Sequence, residues 1–197
     1  MRPFIAGIVV AALSTGGCGR EIAAPHPFAP ETRREQALTS NSTPFESFDF
    51  DCGWPSSPPT RTFAGNTVHV RDLINYSYHV SANPLVDGRL TVWVGADINL
   101  TNGAGSYGGR LELAPSTLAG TGSWVGEFAG HLNGGKFEGN PLTLVNAHIV
   151  AHGTGVLEGQ SIMFDQLVNT EFDHPDGPSG CTFDGELFKG IIFDPRG

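Results

Sequence analysis

From Glu46 onward, apolar residues recur at every second position, and short turn sequences separate the runs. This period is typical of β-strands that bury one face. The clearest runs cover residues 48–51, 74–80 and 90–96, and Asp-Gly or Asn-Gly pairs follow several of them. Such pairs favour tight hairpins. The pattern therefore predicts an all-β domain, either a single closed or nearly closed antiparallel β-barrel of about eight strands or a sandwich.

A repeated glycine pattern favours the barrel. The sequence Gly-x-Gly-x-apolar-x-Gly occurs three times, starting at Gly103, Gly120 and Gly153. In a strand its four marked positions share one face, which is bare apart from one large side chain. Bare faces allow strong coiling and close approach from the opposite wall. Glycine-rich loops between sandwich strands are the alternative. The pattern differs from the dinucleotide fingerprint, because its third glycine is one place late and no helix follows.

The first 17 residues have the organisation of a secretory signal. Arg2 precedes an apolar run at residues 4–13, which is too short to span a bilayer. Small residues then lead to Cys18. This arrangement resembles the signal of bacterial lipoproteins, in which such a cysteine is lipidated, although Thr15 stands where that signal usually has leucine. An ordinary secretory signal is the alternative.

The chain is accordingly predicted to contain a signal peptide (1–17), a lipid anchor with a flexible, proline-rich linker (18–45) and a β-barrel domain (46–197). Its expected location is the bacterial cell envelope, held to a membrane by lipid on Cys18, and the outer membrane if the host has one. Without lipidation the protein would be secreted or periplasmic. A net charge of −9 argues against nucleic acid as a partner.

The two remaining cysteines flank the first and last predicted strands. Cys52 follows residues 48–51, and Cys181 precedes residues 182–188. First and last strands become neighbours when a barrel closes, and the envelope is oxidising. A Cys52–Cys181 disulfide is therefore predicted, with two free thiols as the alternative.

The titratable residues give no metal, cofactor or catalytic assignment. His148 and His152 are four apart, and in a strand that spacing is too long for one zinc ion. Glu127 and Glu158 alternate with the glycine face. They would point outward if that face points inward, and would be buried acids if it points outward. The acidic segment 173–176 lacks the spacing of a calcium loop and is interpreted as a solvated turn.

Aromatic residues of the predicted strands are the candidates for lining the barrel interior. They would either bound a cavity for a small apolar ligand or fill the core. The candidates are Tyr76, Tyr78, Trp93, Tyr107, Trp124, Phe128 and Phe164.

The Asp87-Gly88 turn and the three glycine repeats, the second containing Trp124, all fall between residues 85 and 165. In this spacing the segment resembles bacterial envelope proteins of unknown function, which in turn resemble the lipocalin-like eight-stranded barrel of allene oxide cyclases. The resemblance implies a fold. The catalytic positions of the cyclases do not match residue by residue, so no catalytic residue is assigned.

The sequence thus predicts an envelope lipoprotein whose barrel binds a small apolar molecule or serves as a structural module. The alternative is an isomerase or cyclase that uses the barrel as a shielded apolar pocket. A cavity on which polar groups converge would support the ligand hypotheses, and a barrel filled by its own aromatic side chains would contradict them.

Overall fold

The computed structural model describes residues 41–53, 58–118, 120–134, 144–168 and 173–196. These ranges contain nine strands and two short 3-10 turns. The strands are β1 (Ser42–Asp51), β2 (Thr60–Ala64), β3 (Thr67–Val80), β4 (Gly88–Asn99), β5 (Ala104–Pro115), β6 (Trp124–Asn133), β7 (Leu144–Gly153), β8 (Ser161–Val168) and β9 (Thr182–Phe193).

Eight of these strands form a closed antiparallel barrel. Each strand from β3 to β9 pairs with the next, β9 pairs with β1, and β1 pairs with β3. The ninth strand, β2, lies beside the first half of β3, whereas β1 lies beside its second half. The predicted all-β barrel is therefore confirmed, and one continuous sheet replaces the two sheets of a sandwich.

Strand β1 begins inside the segment predicted to be linker. Ser42 pairs with Phe193 and Pro44 with Ile191 of β9. Strand β3 pairs with β1 only from Phe48 to Asp51. Pro44 therefore lies where β1 has one paired neighbour, a position at which the missing N–H of proline is tolerated.

Glycines on the inner faces of β5 and β6 bring neighbouring strands very close. A Cβ atom on Gly109 would lie 1.8 Å from the backbone oxygen of Trp93, and one on Gly126 would lie 2.1 Å from the backbone oxygen of Val150. No side chain fits at these distances. The glycines of the first two repeats that lie within β5 and β6 therefore shape the wall of the barrel. Gly103 and Gly120, with φ values of 71° and 82°, lie before these strands, contrary to the expectation of one strand face for each repeat.

The third glycine repeat does not form a strand. Gly153 ends β7, and Gly155–Leu157 is a 3-10 turn leading toward β8. Gly155 and Gly159 have φ values of 59° and 88°, a region that favours glycine and is incompatible with a regular strand. This repeat forms the tight connection between β7 and β8. The expectation that its four marked positions share one face of a strand is therefore wrong.

One end of the barrel is filled by a group that we call the floor, consisting of Val86, Leu113, Trp124, Leu157 and Ile162. These side chains are at most 3 % exposed and belong to the hydrophobic core. The indole Nε1 of Trp124 donates a hydrogen bond of 2.7 Å to the carbonyl oxygen of Leu85, in the β3–β4 connection. Trp124 therefore links β6 to the loop across the barrel end.

A bulge in β3 changes which of its faces points inward. The pairing with β4 shifts between Val70 and Leu73, and Asp72 has a φ of 59°. An inserted residue of this kind moves all later side chains to the other face. The guanidinium of Arg71 ties the bulge to β4, because it donates to the carboxylate of Asp97 at 2.7 Å.

After the bulge, β3 presents polar residues to the interior and apolar residues to the outside. Asn75, Ser77 and His79 face inward, and Ser77 and His79 are buried. Tyr76, on the alternate face, is 40 % exposed. The apolar alternation of residues 74–80 therefore lies on the outer wall.

The second half of β1 also presents polar residues to the interior. Phe50 points outward and contacts the rings of Phe183 at 5.5 Å and His174 at 5.7 Å between ring centroids. This contact buries Phe50 outside the barrel, at the seam between β1 and β9. The alternate residues Ser47 and Asp49 are consequently inside.

Candidate functional site

Above the floor, the barrel contains a partly open cavity of about 200 Å³, to which all eight barrel strands contribute inward-facing side chains. Most of the lining is apolar. It comprises Leu73, Leu90, Val92, Val94, Leu111, Phe128, Ala147, Ile149, Phe164 and Phe188. A dry protein cavity of about 150 Å³ binds benzene. The barrel therefore has room for one small ring with a short substituent.

The polar lining residues are Asp49, Asn75, Ser77, Tyr107, Gln166 and Glu186. The Ser77 side chain is 2 % exposed. Its Oγ atom, and the Oδ1 atom of Asn75, are buried without a hydrogen-bond partner among the described residues. Because buried polar atoms in proteins are nearly always hydrogen-bonded, these two atoms could accept hydrogen bonds from a water molecule or another polar group in the cavity.

Two features hold Tyr107 in the cavity wall: the lack of a side chain on its pairing partner in β6, and a hydrogen bond. Its ring lies over Gly130 of β6, where a Cβ atom would come within 2.6 Å of it. Its hydroxyl donates to Gln166 Oε1 at 2.7 Å. Burial, with a smaller contribution from the charge of Glu186, raises the pKa of Tyr107 above its usual range. The phenol therefore stays protonated and remains a donor.

Two carboxyl side chains lie on neighbouring strands at the cavity wall. Phe48 of β1 pairs with Leu187 of β9. Asp49 follows that pair on β1 and Glu186 precedes Leu187 on β9, next to a shift in the register between Phe48 and Phe50. Both residues line the cavity. This arrangement gives the barrel seam an acidic inner surface.

A buried network stands behind Asp49. His79 is completely buried and stacks on Phe188, with ring centroids 4.6 Å apart. Its Nδ1 atom lies 3.2 Å from Ser47 Oγ, and its Nε2 atom lies 3.4 Å from Asp49 Oδ1. Burial lowers the pKa of His79 to about 3, so the imidazole is neutral near neutral pH.

The same three residue types form the triad of serine hydrolases. Here Ser47 is fully buried, and neither Ser47 nor His79 is among the residues that line the cavity. A nucleophile must reach its substrate, so this arrangement does not support hydrolase chemistry. His79 instead lies beside Asp49, behind the cavity wall.

The aromatic candidates from the sequence fall into two groups. Three of them line the cavity: Tyr107, Phe128 and Phe164. The other four lie elsewhere, with Trp124 in the floor and Tyr76, Tyr78 and Trp93 on the outer face.

Contacts on the outer wall account for the aromatic residues there. The Tyr78 hydroxyl donates to Asp87 at 3.2 Å, and the guanidinium carbon of Arg110 lies 4.2 Å from the centre of the Trp93 ring. Tyr76 and Tyr78 face outward because the bulge at Asp72 reverses β3.

Sequence reasoning missed the polar residues that β1 and β3 contribute to the interior. A signal was present in β3, where the consecutive polar residues Arg71 and Asp72 interrupt the alternation between Val70 and Leu73. Such an interruption is typical of a bulge. In β1 no comparable signal exists, because Phe50 is covered by a segment without periodic pattern.

The predicted disulfide is confirmed, since Cys52 and Cys181 are bonded. Asp51 and Thr182, the residues next to them, are the last pair between β1 and β9. The bridge therefore fastens the seam at which the barrel closes. Cys18 lies outside the described residues.

The remaining titratable candidates are on the outside of the barrel. His148, His152, Glu127 and Glu158 are exposed, and His148 lies 2.8 Å from Asp165. Across the described ranges, no group of three or more His, Cys, Asp or Glu side chains could hold a metal ion. The part of the chain that the structure describes contains no helix long and apolar enough to cross a membrane.

Comparison of the chain with protein families, with curated proteins and with solved structures finds no match. The structure therefore defines the protein only by its fold, which is a closed eight-stranded antiparallel barrel with an internal cavity. This fold is compatible with a lipocalin-like barrel. The resemblance to allene oxide cyclases stays a prediction.

Proposed function

We propose that the barrel is a binding module for a small, mainly apolar molecule with one polar end. The observation that carries the proposal is the cavity of about 200 Å³, apolar over most of its wall, with the buried Oγ of Ser77 and Oδ1 of Asn75 at its surface. Apolar contact would provide most of the affinity, and the polar atoms would set the orientation of the ligand.

A purely structural role accounts less well for the interior. The floor shows that this chain can pack one end of the barrel with large apolar side chains. Protein interiors otherwise leave few voids larger than a water molecule. A volume that exceeds a benzene-sized cavity, with two buried polar atoms on its wall, supports a bound molecule.

Benzyl alcohol is a suitable probe, because it combines one ring with one hydroxyl. We expect the purified barrel to bind it and Val92→Phe to weaken that binding about tenfold or more, since the added ring occupies the cavity. Val150→Phe is the matched control, because Val150 is 47 % exposed on the outer wall. Isothermal titration calorimetry gives both dissociation constants.

Equal weakening by the two substitutions would place the binding outside the cavity and contradict the proposal. An absence of benzyl alcohol binding at millimolar concentration would contradict it as well.

We also propose that lipid on Cys18 holds the barrel at a membrane of the bacterial envelope. The apolar run at residues 4–13 and the small residues before Cys18 support this proposal. A disulfide in the barrel is consistent with it, because disulfides persist in oxidising compartments. A tether of this kind would leave the cavity free to exchange its ligand.

Cys18→Ala is expected to move the protein from the membrane fraction to the soluble fraction, because the thiol that carries the lipid is lost. Thr15→Leu is the matched control, since it brings the signal closer to the usual lipoprotein pattern and should leave the protein on the membrane. Fractionation of host cells followed by immunoblotting measures both. Membrane retention of Cys18→Ala would rule out this anchor.

A further inference from the structure

The cavity wall carries charge of one sign. Its acidic side chains are the carboxyl groups of Asp49 and Glu186, and the described residues that line it include no lysine, arginine or histidine. His79, which lies behind Asp49, is neutral near neutral pH because burial lowers its pKa. A ligand that enters this cavity therefore meets a negative potential.

The uncharged polar groups of the wall also favour a positively charged ligand, because they can accept hydrogen bonds from it. Ser77 Oγ and Asn75 Oδ1 are oxygens that can accept hydrogen bonds, and both are buried without a partner among the described residues. A primary ammonium group has three N–H donors and no acceptor. It could satisfy these oxygens and contact a carboxylate at the same time.

Aromatic rings complete the arrangement. The rings of Tyr107, Phe128, Phe164 and Phe188 line the same cavity. The faces of such rings attract cations, and the attraction is stronger where water is excluded. An anionic ligand would find no positive partner on this wall and would be repelled by both carboxylates.

We propose that the ligand is a small primary amine with an apolar, preferably aromatic, body. Its ammonium group lies against Asp49, Glu186, Asn75 and Ser77, and its ring lies among the apolar residues toward the floor. This inference rests on the proposed function and adds the charge of the ligand to it. The cavity volume limits the body to about one ring.

Three probes of nearly equal size test the charge. Benzylamine is an ammonium ion at pH 7, benzyl alcohol is its neutral counterpart, and benzoate is its anionic counterpart. We expect the barrel to bind benzylamine about tenfold more tightly than benzyl alcohol at pH 7, and benzoate more weakly than either. Isothermal titration calorimetry at low salt measures the three dissociation constants.

Glu186→Gln keeps the shape of the side chain and removes its charge. We expect it to reduce the preference for benzylamine over benzyl alcohol to about twofold or less. Glu127→Gln is the matched control, because Glu127 is exposed on the outer wall and its substitution alters the net charge equally. Asp49→Asn is the second variant if Glu186→Gln does not fold.

The outcomes separate the inference from the proposed function. Binding of benzyl alcohol as tight as that of benzylamine, or tighter binding of benzoate, would overturn the inference and leave the binding module in place. Loss of the preference in Glu127→Gln as well would also overturn it, because a general charge effect would then be responsible. Failure of all three probes to bind would overturn both proposals.

Discussion

Replacing both Cys52 and Cys181 by alanine is expected to lower the free energy of unfolding by about 4–5 kcal/mol. The bridge joins residues 129 apart in the sequence, so it restricts a large part of the unfolded chain. It also lies next to the Asp51–Thr182 pair, at the seam between the first and last strands. Without it, closure of the barrel depends on long-range strand pairing alone.

Urea unfolding followed by tryptophan fluorescence measures this effect. The oxidised protein should unfold at a clearly higher urea concentration than the double variant, and a reducing agent should bring the wild type to the same midpoint. The reducing agent should have no effect on the double variant, which serves as its control. A loss below about 1 kcal/mol would show that the bridge does not limit the unfolded chain.

Trp124→Ala is expected to cost about 3–5 kcal/mol, because it removes the largest side chain of the floor. Trp124 is completely buried, and its indole N–H is bonded to the Leu85 carbonyl group. The substitution leaves a void and an unsatisfied acceptor at the closed end of the barrel. Trp93→Ala is the matched control, with an expected cost of about 1 kcal/mol or less, since Trp93 contacts Arg110 on the outer wall.

The comparison of the two tryptophan variants tests which strand faces point inward. Both variants are measured by urea unfolding, with circular dichroism as the signal because each loses a fluorophore. A larger cost for Trp93→Ala than for Trp124→Ala would place the wrong face of β4 or β6 inside. It would also remove the basis for the lining of the cavity.

The barrel could be predicted from the sequence because its determinants are local. The turn pair Asn102-Gly103, whose glycine has a φ of 71°, and the inward glycines Gly109 and Gly126 specify a hairpin and tight coiling within short segments. Asp87-Gly88 does not form the tight hairpin expected of it, because Gly88 is the first residue of β4 and residues 81–87 make the connection. The disulfide could be predicted for a similar reason, since closure of a barrel makes its first and last strands neighbours. These features require no knowledge of distant side chains.

The candidate site could be predicted only in part, because its polar wall depends on two contacts between residues that are distant in the sequence. Strand β3 is reversed by the bulge at Asp72, which Arg71 fastens to Asp97 of another strand. In β1, Phe50 faces outward, where His174, from a segment more than a hundred residues later, covers it. Alternation alone therefore assigns the aromatic face of β3, with Tyr76 and Tyr78, to the interior.

The outward-facing apolar residues of β1 and β3 explain how polar residues can face the interior without a large loss in the free energy of unfolding. The apolar residues displaced from the interior are partly buried on the outside, where Phe50 packs against Phe183. Apolar burial on the outer wall offsets the cost of burying Ser77 and His79 inside. A fold that needed only a core would not require this exchange, which supports a ligand as the reason for the polar wall.

The central claim is that a small molecule binds inside the barrel, above the floor. Isotope-filtered NOE spectroscopy of methyl-labelled protein with unlabelled benzyl alcohol tests it most directly. The account predicts cross-peaks from the ring protons of the ligand to the methyl groups of Val92, Leu111 and Ile149, which line the cavity. Cross-peaks confined to outward methyl groups such as those of Val150 and Ile191, or no cross-peaks at saturating ligand, would contradict it.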